Sequence, residues 1–260
     1  MVLNGRKGFV PFVTAGDPNL DASLAIIQKL AEMGADVIEL GVPFSDPMAD
    51  GPTIQRSSQR ALEGGTALAD VLTLAKRFRA VSDVPVVLFS YFNPIMRFGI
   101  DKFISAAKAS GVDGVLLTDV VGAEAQVISD RFNAAGIDLI SLVAPTTTDE
   151  RLEKICGNAR GFIYAVSRAG VTGTQQQTSS AARTLVERVR KFTDLPVAVG
   201  FGISTAEQIE EVWQYADAAV VGSAIVAEIE RCSDAGSVAD AVGRFVSGLL
   251  PTVAKDGARI

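Results

Sequence analysis

Three carboxylates fall within twelve residues of one stretch of this chain. Glu39 lies in Ala-Asp-Val-Ile-Glu-Leu-Gly-Val, and Asp46 and Asp50 follow in Pro-Phe-Ser-Asp-Pro-Met-Ala-Asp-Gly-Pro. Glu39 interrupts an apolar, strand-like run, where a carboxylate is costly unless it is paired, protonated or used. Burial raises a carboxyl pKa towards the range useful for acid–base work, so Glu39 reads as a catalytic candidate rather than a structural ion pair. Asp50 sits in a turn sequence, Ala-Asp-Gly-Pro, and either turn formation or chemistry accounts for it. Turn formation before Pro47 accounts for Asp46, which is the weaker candidate.

The chain has no histidine. That removes Ser-His-Asp and Cys-His nucleophiles and histidine-based zinc sites. Proton transfer must then fall to Asp, Glu, Lys, Tyr or water.

A second constellation is rich in glycine. Gly170-Val171-Thr172-Gly173, Gly200-Phe201-Gly202 and Gly222-Ser223 each follow an apolar run, and the last precedes a helical pattern. Glycines let backbone N–H groups approach an anion, and a helix N-terminus adds its dipole. Three such clusters at neighbouring strand ends predict a phosphate site. Phe12, Phe89, Tyr91 and Tyr164 lie on predicted strands, where they either fill the core or line a pocket for a flat apolar group. Arg168 reads equally as a phosphate contact or as an anchor of the loop around it.

The elements that must position these residues alternate strictly. Eight short apolar runs read as strands: 8–14, 36–42, 84–91, 112–119, 137–144, 161–167, 196–202 and 216–222. Helical periodicity fills the gaps at 21–33, 68–81, 101–110, 124–135, 149–156, 181–192 and 205–215, and 224–231 and 237–250 follow the last strand. Asp21 at one start, and Ser204 with Glu207 at another, read as caps. Continuous apolar strands joined by helices imply a parallel sheet covered on both faces, and eight units in 260 residues predict a single (β/α)8 TIM-barrel domain over residues 1–260. A doubly wound sheet would favour a Gly-x-Gly-x-x-Gly turn, which the first turn, Ala15-Gly16-Asp17-Pro18, is not. Strand starts lie 20 to 28 residues apart except for gaps of 48 and 35. These extensions are the loops after strand 2 (43–60), with a short extra helix over 53–63, and after strand 6 (168–180), which reads as a mobile lid.

The 24 basic residues are scattered and the formal charge is −6, against nucleic acid or an anionic membrane as partner. No run has the length of a membrane span or a signal peptide, and the two isolated cysteines read as reduced, buried thiols of a cytoplasmic protein.

The runs 9–18 (Phe-Val-Pro-Phe-Val-Thr-Ala-Gly-Asp-Pro), 39–55, 91–95 (Tyr-Phe-Asn-Pro-Ile), 167–173 (Ser-Arg-Ala-Gly-Val-Thr-Gly), 200–203 and 222–226 together resemble the tryptophan synthase alpha chain family. The resemblance implies retro-aldol cleavage of indole-3-glycerol phosphate to indole and glyceraldehyde 3-phosphate, in tryptophan biosynthesis, with no metal or cofactor in this chain. It implies Glu39 as general acid/base and Asp50 as the anion that holds the indole N–H. Phe12, Tyr91, Tyr164 and Thr172 would line the indole pocket, with Thr172 engaging Asp50 on closure. Gly173, Phe201, Gly202, Gly222 and Ser223 would hold the phosphate. A pyridoxal-phosphate beta chain is the implied partner in an alpha2-beta2 assembly, docking on 43–60 and 91–99, where Phe92–Met96 reads as an exposed apolar loop. The chain departs from the family pattern in three places: the short segment before Phe9, Val120-Val121 after Asp119, and the polar 174–178. The alternatives are a stand-alone lyase, a flavin-mononucleotide oxidoreductase, a metal aldolase using the three acids, and a non-catalytic activating subunit.

Overall fold

The computed structural model describes residues 6–120, 123–166, 175–200, 202–232, 234 and 236–250. Eight strands close into a parallel barrel in chain order: β1 (Gly8–Thr14), β2 (Ile38–Gly41), β3 (Val86–Ser90), β4 (Gly114–Leu117), β5 (Asp138–Val143), β6 (Ile163–Val166), β7 (Val197–Gly200) and β8 (Ala218–Val221), with β8 pairing back onto β1. Around them lie α1 (Leu20–Glu32), α2 (Pro52–Glu63), α3 (Leu68–Arg79), α4 (Phe92–Phe98), α5 (Ile100–Ala109), α6 (Ala123–Ala134), α7 (Asp149–Asn158), α8 (Gln175–Val189), α9 (Ala206–Trp213), α10 (Ser223–Arg231) and α11 (Val238–Leu249). The predicted fold class is the observed one. Parallel strands buried on both faces need no polar alternation, which is why β1 is buried along its whole length.

Alternation along each strand divides the core in two. Ile38 and Leu40 face outward into the layer between strands and helices, with Phe9, Val13, Leu88 and Ile163. Val10, Phe12, Val87, Phe89, Tyr164 and Val220 face the barrel axis. Parallel register aligns Phe12 with Glu39 and Glu39 with Val87, so Glu39 belongs to the inward set.

Several local expectations shift. The cap of α1 is Asn19, whose Oδ1 accepts from the Ala22 amide at 2.8 Å, while Asp21 sits in the first turn and pairs with Arg77. At α9 the reciprocal box uses Thr205 and Gln208, one position beyond Ser204 and Glu207; only the amide side chain reaches back to the Ser204 and Thr205 N–H groups. Phe92–Phe98 is helix α4 and not a loop. Pro94 sits in its first turn, where no N–H is needed, and Ile95 is fully buried while Met96 is 55% exposed. Gln175–Ser180 belong to α8, which takes them out of the predicted lid; 168–174, with Arg168, lie outside the described residues. Both cysteines are free; Cys156 is buried as expected, but Cys232 is half-buried, its thiol donating to the Asp234 carbonyl at 3.3 Å.

Candidate active site

The mouth at the C-terminal strand ends holds a cavity of about 270 Å³. Phe12, Glu39, Phe89, Tyr164 and Val220 line its floor and walls, Asp50–Ile54 form one rim, and Gly202, Gly222 and Ser223 form the other. Two carboxyls and an apolar, aromatic interior thus face a glycine-lined, helix-capped edge.

Glu39 is 1% exposed, and both of its carboxyl oxygens lack a hydrogen-bond partner among the described residues. Burial alone pushes its pKa up to about 8, so at neutral pH it holds its proton. β2 forces this position: inward and outward residues alternate strictly, and the buried pattern of Ile38 and Leu40 leaves Glu39 no other side to face.

Asp50 arrives from the loop ahead of α2. Its amide donates to the Pro47 carbonyl at 3.0 Å, and the Gln55 side chain donates to its carbonyl at 2.9 Å, so the loop is folded onto the first turn of the helix. Pro52 at the helix start fits there because the first turn needs no N–H. Burial raises the Asp50 carboxyl to about 6 against the opposing hydrogen bond from Tyr91, leaving it largely ionised at pH 7. Two carboxyls in one pocket therefore stand in opposite protonation states.

The aromatic wall rests on two glycines. A Cβ at Gly41 would lie 2.6 Å from Phe12 Cζ, and one at Gly200 would lie 2.4 Å from the Tyr164 hydroxyl. Both rings occupy space that any other residue would fill. Phe12 and Phe89 meet edge to face at 5.3 Å. Burial, and next the carboxyls of Glu39 and Asp50, raise the Tyr164 phenol well above its ordinary pKa, so it stays neutral.

At the opposite rim α10 starts with no side-chain cap, and its N-cap is Gly222. The first amides of the helix thus face the cavity edge beside Ser223, with the positive end of the dipole behind them. Gly202, at φ +83°, takes a backbone conformation that suits glycine.

The structure brings together Phe12, Glu39, Asp50, Tyr164, Gly202, Gly222 and Ser223. Thr172, Gly173 and Phe201 lie outside the described residues. Tyr91 does not line the cavity but stands behind Asp50, its hydroxyl donating to Asp50 Oδ2 at 3.2 Å and accepting from the Ala49 amide at 2.8 Å. Asp46 is exposed and bonded to its neighbour Ser45, away from the cavity lining. The three acids are therefore not gathered as a metal aldolase would need, and among the described residues no group of three His, Cys, Asp or Glu side chains is arranged to hold a metal ion. Sequence reasoning missed Asp17, which is buried and paired with Arg60 of α2; the partners lie 43 residues apart and no local pattern links them.

Comparison with known proteins agrees with this geometry. The family model of the tryptophan synthase alpha chain matches residues 2–247. The tryptophan synthase alpha chain of Geobacter sulfurreducens is 48% identical over 250 residues, spanning 96% of this chain and 94% of that one. That of Phenylobacterium zucineum is 49% identical over 231 residues, 88% of this chain and 83% of that one. Among solved structures, the tryptophan synthase A-subunit of Pyrococcus furiosus superposes with a TM-score of 0.86 at 38% identity, covering 94% of this chain and 98% of that one. With a match of this length and a barrel mouth of this composition, the chain belongs to the tryptophan synthase alpha chain family, whose members are indole-3-glycerol phosphate lyases.

Proposed function

We propose that Glu39 and Asp50 carry the retro-aldol cleavage of indole-3-glycerol phosphate in this chain. The observation that carries the assignment is the split between them: a buried, protonated Glu39 and an ionised Asp50 line one cavity. Pairs of titratable groups pushed apart by their surroundings are the usual mark of an acid and its counter-charge. The Glu39 carboxyl donates its proton to indole C3, which makes the ring an electron-poor indolenine. Asp50, as a fixed anion at the rim, accepts the indole N–H and stabilises that positive charge. The Glu39 carboxylate then takes the proton of the glycerol hydroxyl next to the breaking bond. The C–O bond becomes a carbonyl, the carbon–carbon pair returns to the ring, and indole and glyceraldehyde 3-phosphate leave. The net proton movement is from hydroxyl to C3, and no redox partner is required.

Phe12 and Tyr164 provide the flat apolar walls for indole, and Gly202, Gly222 and Ser223, with the start of α10, hold the phosphate. Thr172, Gly173 and Phe201 complete these two sets in our reading. Tyr91 acts through Asp50 rather than on the ring. The family needs no cofactor for this step, and pyridoxal phosphate belongs to the beta chain. We assign the docking face for a beta chain, in an alpha2-beta2 assembly, to 43–60 and 91–99. Met48 is 93% exposed there, Met96 is largely exposed, and Phe44 stacks on Tyr91 at 5.1 Å, an apolar rim that supports this choice. We read the chain as a cytoplasmic biosynthetic enzyme; separately, no helix among the described residues is long and apolar enough to cross a membrane.

The test is indole release from indole-3-glycerol phosphate by wild type and Glu39→Gln, with and without a beta chain. The expected result is release that vanishes in the variant and rises when the beta chain is added. Full activity in Glu39→Gln would overturn the assignment of the acid. Strong activity indifferent to the beta chain would make this a stand-alone lyase.

A further inference from the structure

Helix α2 begins two residues after Asp50, whose loop is folded onto its first turn, yet it is not held to the barrel by an apolar face. Its buried residues are Ser57, Ser58 and Ala61, with Ile54 partly buried against the barrel lining. Small and polar groups contribute little hydrophobic stabilisation, so other forces must set where this helix lies.

Polar contacts supply those forces. The Ser57 hydroxyl donates to the Ile54 carbonyl at 2.8 Å and shares a buried 2.6 Å contact with Thr14 at the end of β1. Arg60 donates through Nε and Nη2 to both oxygens of Asp17 at 2.8 Å each, and through Nη1 to Glu230 of α10, also at 2.8 Å. Arg56, one turn earlier, grips both oxygens of Glu230 at 2.7 Å. Asp17 is itself 1% exposed, and the backbone before it is pinned: a Cβ at Gly16 would lie 2.1 Å from Thr66 Oγ1. Lone exposed ion pairs contribute little, but a bidentate pair on a buried carboxylate extended into a four-residue network differs in geometry and in desolvation.

We infer that the network Asp17–Arg60–Glu230–Arg56 is a positioning brace that fixes α2, and with it the adjoining Asp50 loop, against the helix bearing Ser223. The inference rests on the role proposed above for Asp50. Of the two helices, α10 is anchored independently, since Ile225, Val226 and Ile229 are buried. Loosening the brace therefore moves α2, and with it Asp50, while the anion-binding end of α10 stays in place. The effect should fall on the chemical step and spare the phosphate end.

The test compares Glu230→Gln and Arg60→Lys with wild type and Asp50→Asn, measuring kcat and KM for indole release and the affinity for inorganic phosphate. Glu230→Gln keeps the shape of a half-exposed side chain, and Arg60→Lys keeps a cation beside buried Asp17, so both chains fold. Misplacing a reacting group by about an ångström costs up to roughly a hundredfold, so kcat should fall about tenfold or more in both variants. Affinity for inorganic phosphate should stay within about twofold, because α10 is held by its own core contacts. An unchanged kcat, or a loss shared equally by phosphate affinity, overturns the brace while Asp50→Asn is inactive. Wild-type kcat in Asp50→Asn removes the reading beneath it instead.

Discussion

The Tyr91 hydroxyl bridges Asp50 Oδ2 and the Ala49 amide, at 3.2 and 2.8 Å, from behind the cavity wall. It therefore sets both the place and the charge of the rim carboxylate without reaching the cavity. Asp50 is raised to about 6 by burial, and the Tyr91 hydrogen bond is what opposes that rise. Asp50 in turn helps hold the Tyr91 phenol up at about 12, behind the larger effect of burial, so tyrosine stays a donor throughout the working range.

Tyr91→Phe should consequently raise the Asp50 pKa further and leave less of it ionised at pH 7. The acid limb of the kcat profile should move to higher pH by about one to two units, the value of one hydrogen bond to a charged group. Activity lost at pH 7 should be partly regained at pH 8. A pH–rate profile of the variant checks this, and an unshifted limb would remove Tyr91 from control of Asp50.

Glu39 predicts an unusual dependence of stability on pH. Its folded pKa, about 8, lies above the unfolded value near 4.5, so between these limits the folded state binds the extra proton. The stabilisation is complete below about pH 4.5 and is lost as pH rises through 8. Asp50 acts in the same direction over a narrower window, up to about 6. Glu230 acts oppositely: paired first with Arg56 and then with Arg60, it is held at about 2, and its contribution disappears only as pH falls below the ordinary carboxylate range. Unfolding free energies from denaturant titrations at pH 5.5, 7 and 8.5 should therefore decline in wild type by several kcal/mol, on the order expected for a shift of that size. Glu39→Gln should flatten the decline, and a wild type with equal unfolding free energies would show Glu39 to be ionised throughout.

Gly200→Ala should cost about 1–3 kcal/mol, the range for forcing extra atoms into a packed site. The new methyl would meet the Tyr164 ring as well as its hydroxyl, with Cζ at 2.8 Å. Removing only the oxygen would not relieve it, whereas Tyr164→Leu in the same chain should restore most of the lost stability. Thermal melts of the two single variants and the double variant measure the coupling. Additive losses would mean that the ring escapes without strain.

Much of this architecture was legible in the residues because the barrel is built from local signals. Val, Ile and Leu runs ended by glycine or proline mark all eight strands, and β1 has its predicted limits at Gly8 and Thr14. Glu39 was legible for the same reason: a carboxylate in such a run has nowhere to go but inward. Helix α4 was not, since Asn93-Pro94 is turn chemistry in most settings and is tolerated here only because it lies in a first turn. Caps slipped by one or two positions because several polar residues near a helix start compete for one set of amides. Tyr91 was misplaced as a wall of the pocket because the sequence places it on the correct strand end but says nothing about what stands in front of it. The Asp17–Arg60–Glu230 contacts span 43 and 170 residues, and separation of that kind leaves no trace in spacing.

Two walls of the cavity are rings lodged over backbone positions without side chains, Phe12 over Gly41 and Tyr164 over Gly200. Each ring and its glycine lie on different strands, so two positions far apart in the chain share one space. A larger residue at either glycine is tolerated only after its ring has shrunk, and a smaller ring leaves a gap until the glycine has grown. A single change at either member of a pair therefore costs stability, through crowding in one direction and a void in the other. The shape offered to a flat substrate is thus set jointly by each ring and the bare backbone beneath it.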